Sequence, residues 1–103
     1  VQTCALPISG QKTVVIEDLI STGGSVLDTV EALRQAGAEI LGIVSIFTYQ
    51  FEEAERRMSE TGVKNISLCD LDALMQAAEL KGYITAEQRK MVEAFRADPK
   101  DWR

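Results

Sequence analysis

Val14-Val15-Ile16-Glu17-Asp18-Leu19-Ile20-Ser21-Thr22-Gly23-Gly24-Ser25 decides how this chain folds. Three consecutive β-branched residues suit an internal strand of a parallel sheet, where helices cover both faces. Two carboxylates follow where that strand is expected to end. Small hydroxyl residues and two glycines come next, and then a helical pattern begins. Such a turn exposes backbone N–H groups, and the helix start adds a partial positive charge, so the turn suits a phosphate. Glu17 and Asp18 repel a phosphate. They suit sugar hydroxyls, which can donate to them, or a hydrated cation. Phosphate at one end and hydroxyls at the other describe a ribose 5-phosphate.

Outward from this stretch the order of elements is regular. Thr13 to Glu17 is the predicted first strand, Ser21 to Gly24 the turn, and Ser25 the expected N-cap of a helix. Val26, Val30 and Leu33 recur at helical spacing and place one apolar stripe on the sheet, and Gly37 stops the helix. Ile40 to Phe47 is almost wholly apolar and reads as a second, internal strand. Strand, helix and strand within roughly 35 residues form a βαβ unit with a right-handed crossover. Phe51, Ala54 and Met58 mark a second helix ending at Gly62. Ile66 to Leu68 is a short third strand, after which Asp70 or Asp72 caps a helix reaching Lys81. Thr85 and Gln88 are spaced as a capping box for a last helix with Met91, Val92 and Phe95 on its apolar face.

Composition narrows the function classes. The chain has 103 residues, 46% hydrophobic and 26% charged, so it holds at most one small domain. Sixteen acidic against 11 basic residues give a net charge of -5, which argues against nucleic acid and anionic membranes as partners. No apolar run approaches the ~20 residues of a membrane helix. There is no histidine, and Cys4 and Cys69 stand far apart, which excludes a zinc site or a Cys–His nucleophile. Two separate thiols fit a reducing cytoplasm. Residues 1–9 break the pattern: Val1 to Ile8 (VQTCALPI) reads as adapter-derived sequence joined to a reading frame, which leaves residues 10–103 as the natural unit. Source reads continuing across Ile8 into ordinary coding sequence would overturn that reading.

A hydrophobic strand, an acidic pair and Ser-Thr-Gly-Gly-Ser together resemble the phosphoribosyl-pyrophosphate (PRPP) signature of the type I phosphoribosyltransferases. Within that family, EDLISTGGSVLDTVEALRQAGAEILGIVSIFTYQ resembles the bacterial orotate phosphoribosyltransferases. The likeness runs on through Asp70-Leu71-Asp72, Gly82-Tyr83-Ile84 and Asp101-Trp102, and it covers only the C-terminal half of such an enzyme. It implies an α/β fold, a partial doubly wound parallel sheet of the type I phosphoribosyltransferase fold. It further implies transfer of phosphoribose from PRPP to orotate in a cytoplasmic homodimer, with Mg²⁺ bound through PRPP and no direct protein ligand to the metal.

By this resemblance the PRPP-binding residues are Glu17, Asp18, Leu19, Ile20, Ser21, Thr22, Gly23, Gly24 and Ser25. The acids hold the ribose hydroxyls, Thr22 to Ser25 cradle the 5-phosphate, and Asp18 is the residue expected to contribute to catalysis. Ser21 and Tyr49 fall near orotate. Where many orotate enzymes carry an arginine near that position, this chain reads Phe47-Thr48-Tyr49-Gln50, and Tyr49 equally suits packing at the strand end. Arg56 and Arg57 invite a phosphate-site reading, but on an exposed helix face they read rather as solvated or paired with Glu52, Glu53 or Glu60. Cys69 reads as a small apolar residue at a strand end and Trp102 as a tail contact. The hood, pyrophosphate segment and mobile lysine loop of the family belong to its other half, so the fragment is expected to be inactive alone. Two other readings share the loop: a purine-base phosphoribosyltransferase and a non-catalytic PRPP-binding regulatory module.

Overall fold

The structure, a computed structural model, describes residues 9–100. Its elements run β1 (Lys12–Ile20), α1 (Gly24–Gln35), β2 (Glu39–Thr48), α2 (Glu52–Thr61), β3 (Asn65–Asp70), α3 (Leu71–Leu80) and α4 (Ala86–Ala97). The leader and the Asp101–Trp102 tail lie outside the described residues.

The three strands form one parallel sheet in the order β1-β2-β3. Ile16 pairs with Val44, and Val44 with Ile66, so the register lines up one residue type across all three strands. Thr13 pairs with Ile40 but Val14 with Gly42, which leaves Leu41 as an extra residue in β2. Such a bulge increases local twist.

The core lies between the sheet and two helices. Val15 and Ile43 from the sheet meet Val26 and Val30 of α1 and Ala54 and Met58 of α2. The expected α1 stripe holds: Val26 and Val30 are buried and Leu33 is partly buried against them. Phe51, Ala54 and Met58 anchor α2 in the same way, and Gly62 ends that helix in a left-handed conformation at φ 74°. Burying a side chain of this size contributes about 1.5–3 kcal/mol, so a few positions hold each helix. Ser45 is the polar exception among the buried residues. Its hydroxyl lies 2.9 Å from Asn65 Oδ1 and 2.5 Å from Ser67 Oγ, so burial leaves it satisfied.

Three expectations need correction, and one left open between two residues is decided. β1 does not end at Glu17; it continues to Ile20, with Leu19 paired to Phe47 and Ile20 to Thr48. The N-cap of α1 is Gly23 rather than Ser25, because the chain turns through a left-handed residue there. Of the two aspartates offered as the cap of α3, Asp70 takes the position, accepting from Ala73 N at 2.8 Å, while Asp72 pairs with Arg96 of α4. The sheet is covered on one face only: Val14 and Ile16 are exposed, against the expectation that β1 is buried on both sides. The capping box is present as read, with Gln88 N donating to Thr85 Oγ1 and Thr85 N to Gln88 Oε1. The apolar face of α4 is only half used, since no residue of α4 is buried and Met91 is exposed.

Candidate functional site

Parallel strands all point their C-terminal ends the same way, so the turns leaving β1, β2 and β3 share one edge of the sheet. The turn after β1 is short. Ile20 is buried, Ser21 and Thr22 are exposed, and Gly23 turns the chain at φ 86° and ψ -3°. Only a residue without a Cβ adopts this conformation cheaply. Helix α1 then begins at Gly24, with Leu27 N donating to Gly23 O at 3.0 Å.

The N-terminus of α1 lacks both a side-chain cap and an acid in its first turn, a combination that α2, which is also uncapped, α3 and α4 do not show. By contrast, α3 and α4 are capped by Asp70 and Thr85, and the first turn of α2 carries Glu52, Glu53 and Glu55. The positive end of α1, with its unbonded early N–H groups, is therefore left un-neutralised by its own sequence. That is the electrostatic condition for holding an anion between Thr22 and Ser25.

Glu17 and Asp18 sit in the second half of β1, where neighbouring side chains leave opposite faces of the strand. Glu17 is half-buried and Asp18 exposed, and Glu17 Oε1 accepts from Asp18 N at 3.0 Å. At about 3.3 Å per residue, Asp18 stands roughly 7 Å short of the strand's last residue. The two carboxylates thus flank the approach to the turn instead of forming its tip. Leu19 and Ile20 connect the two parts: Leu19 is exposed, whereas Ile20 anchors the turn in the core and accepts from Tyr49 N at 3.1 Å.

Tyr49 belongs to a run of aromatic rings. It stacks on Phe51 with centroids 5.1 Å apart, meets Phe47 edge-on at 5.4 Å, and Phe51 continues to Phe95 at 5.7 Å. Its ring is engaged in packing that ties the end of β2 to α2 and α4. Gln50, next to it, has φ 62°, a left-handed conformation uncommon outside glycine. Its side-chain oxygen accepts from Asp72 N and from Arg96, which holds that turn in place.

Arg57 stands closer to the loop than the solvated-pair reading implies. Arg57 was assigned to a solvated ion pair, and it does bridge Glu53 at 2.7 Å, as Arg56 bridges Glu60 at 3.4 Å. Yet Arg57 Nη1 also lies 3.2 Å from the Cβ position that Gly24 leaves empty, and Ala54 Cα lies 3.5 Å from that of Gly23. The signal was present as a period: Ala54 and Arg57, three residues apart on one helix, face Gly23 and Gly24 in turn. A cavity of about 360 Å³ opens on the far side of the loop, lined by Thr22, Phe51, Glu53, Arg56, Arg96 and Lys100 among others. Two basic side chains therefore flank the turn region from α2, while the carboxylates stay on β1. Cys69 has a free thiol, with Sγ 3.6 Å from Asp70 O, and lies within β3. Among the described residues, no helix is long and apolar enough to cross a membrane.

Known proteins resemble this chain in sequence and fold. The phosphoribosyl transferase domain family matches residues 5–80. The chain is 45% identical to orotate phosphoribosyltransferase of Streptococcus thermophilus over 95 residues, 92% of this chain and 46% of that one. Against orotate phosphoribosyltransferase of Bacillus cytotoxicus, identity is 51% over 92 residues, 89% of this chain and 44% of that one. The chain spans about half the length of the curated relatives it matches, and the matched part is their C-terminal half. Among solved structures, Leishmania donovani UMP synthase superposes with TM-score 0.72 and 29% identity, covering 85% of this chain and 20% of that one. Mycobacterium tuberculosis orotate phosphoribosyltransferase in complex with PRPP gives TM-score 0.58 and 31% identity, over 65% of this chain and 40% of that one.

Proposed function

The chain belongs to the phosphoribosyl transferase domain family, and we propose that it is the PRPP-binding half of an orotate phosphoribosyltransferase. The observation that carries this reading is the uncapped, acid-free N-terminus of α1 behind a left-handed Gly23, with two carboxylates just upstream on β1. The 5-phosphate of PRPP takes the N–H groups between Thr22 and Ser25, and Glu17 and Asp18 take the ribose 2′ and 3′ hydroxyls. As the bond from ribose C1 to pyrophosphate breaks and a bond to the orotate nitrogen forms, positive charge builds on the ribose. A carboxylate at Asp18 stabilises that charge more than it stabilises the neutral substrate, which is the differential that raises rate. Ser21, exposed at the mouth of the loop, and Tyr49 are the positions assigned to orotate, and of these Ser21 has the freer side chain.

Two adjacent carboxylates fall short of the six oxygen ligands that Mg²⁺ takes, which suits an ion brought in on the oxygens of PRPP. When bound there, Mg²⁺ neutralises charge on the departing pyrophosphate. We place the working enzyme in the cytoplasm as a homodimer, acting in pyrimidine synthesis, with the fragment inactive until its other half is supplied.

The test is loss of orotate ultraviolet absorbance with PRPP and Mg²⁺, using the polypeptide with its reading frame restored upstream of Gly10. Turnover that requires PRPP and falls roughly 10²-fold in Asp18→Asn supports both reaction and site. Turnover of a purine base in place of orotate would retain the loop and replace the substrate. PRPP binding without turnover of any base would indicate a regulatory module.

A further inference from the structure

Gln50 is the one residue other than glycine with a positive φ among the described residues, at 62°. An L-residue is strained there, and such strain persists only where the surroundings over-determine it. Gln50 N donates to Thr48 Oγ1 at 3.1 Å, and Gln50 Oε1 accepts from Asp72 N at 3.1 Å and from Arg96 Nη1 at 3.2 Å. Arg96 Nη1 pairs with Asp72 Oδ1 as well. One guanidinium thus ties together the turn after β2, the start of α3 and the end of α4. A second tie lies beside it: Phe95 meets Phe51 edge-on, and Phe51 stacks on Tyr49. Helix α4 buries no residue of its own, yet two consecutive side chains, Phe95 and Arg96, grip this turn.

We infer that Arg96 is a positioning residue for the base end of the site: through Gln50 it fixes the turn carrying Tyr49, and so sets affinity for orotate. The location of the turn supports this. Ile20 pairs with Thr48, and Ile20 O accepts from Tyr49 N at 3.1 Å, so the turn after β2 runs directly beside Ser21. Releasing Gln50 moves its neighbour Tyr49 first and changes the space that faces Ser21. The phosphate end is held separately, because Gly23 rests on Ala54, which α2 buries in the core together with Met58. Arg96 acts on the turn and not on the substrate, since its Nη1 is already shared between Asp72 and Gln50. The inference rests on the assignment of Ser21 and Tyr49 to orotate.

The experiment is steady-state kinetics of the complete polypeptide carrying Arg96→Met, Gln50→Gly or both, with thermal melting and amide exchange of each. Gln50→Gly removes the acceptor but suits a left-handed turn, so its melting should match or exceed wild type. Each single variant should raise KM for orotate roughly tenfold, with kcat and PRPP affinity within about twofold of wild type. The double variant should show no more than the larger single effect, because both changes break one linkage. Arg96→Lys, which keeps a cationic donor, should recover part of the lost affinity. Additive single effects, an equal loss of PRPP affinity, or an unchanged KM in Arg96→Met would each overturn the inference. A wild-type enzyme that leaves orotate unused would strike the substrate assignment instead. The linkage is then judged on exchange at Tyr49 N and Gln50 N, whose protection should drop at least ~10-fold in Arg96→Met. Unchanged protection there would overturn it independently of the base.

Discussion

Arg57 Nη1 lies 3.2 Å from the point where a side chain on Gly24 would begin, so a larger residue there would meet the end of a mobile cation and no backbone constraint. Gly23 is glycine for a backbone reason, its φ of 86°. Alanine at Gly23 is expected to lower stability by about 1–2 kcal/mol, the cost of a left-handed L-residue. Alanine at Gly24 meets only the flexible end of Arg57 and gains helix propensity, so stability should stay level or rise by up to about 1 kcal/mol. Urea melts of the two variants separate these causes.

Arg57→Gln removes the positive charge on the α2 side of the loop and shortens the side chain, while leaving it polar. Partly exposed and shared with Glu53, this charge is worth little to stability. In the complete polypeptide, PRPP affinity should fall by roughly threefold to tenfold and depend less on salt. Calorimetric titration at two ionic strengths checks both effects.

Asp18→Asn alters a surface carboxylate without changing its shape, so melting should move by no more than about 0.5 kcal/mol. Turnover in the complete polypeptide should fall roughly 10²-fold, because the lost charge acts on the transition state. A matched loss of stability would assign Asp18 a structural part instead.

Ser45→Ala leaves Asn65 Oδ1 without its donor beneath α2 and should cost about 1–3 kcal/mol in a denaturant melt. Thr85→Ala breaks the capping box of α4 and should cost about 1 kcal/mol. Faster amide exchange confined to the first turn of α4 would localise the second effect.

What could be read from the sequence was what local chemistry decides. The stripe of Val26, Val30 and Leu33 and the Thr85–Gln88 box depend on helical period and capping, and both were legible. The end of β1 was not, because Glu17 and Asp18 are poor strand formers held extended by pairing with β2 on either side. Ser25 outranks Gly23 as an N-cap by propensity, yet the turn needs a left-handed residue, and that requirement belongs to the connection between β1 and α1. Asp70 and Asp72 were indistinguishable by type. Arg96, 24 residues further on, draws Asp72 away from the cap. The bare sheet face was hidden for a different reason: β-branched runs signal burial, but not which polypeptide provides it.

The parallel order β1-β2-β3 also bears on how fast the molecule assembles. Neither strand pair can begin as a hairpin; Ile16 must find Val44, and Val44 must find Ile66, across loops of roughly 20–30 residues. The entropy of closing each loop is lost before the pairing returns anything, which puts such pairings on the slow side for a chain of this size. Helices α1 and α2 shorten those searches by condensing the intervening residues, so substitutions that weaken α1 should slow refolding as well as speed unfolding. The same crossover that aims α1 at the loop thereby becomes the kinetic gate to the sheet.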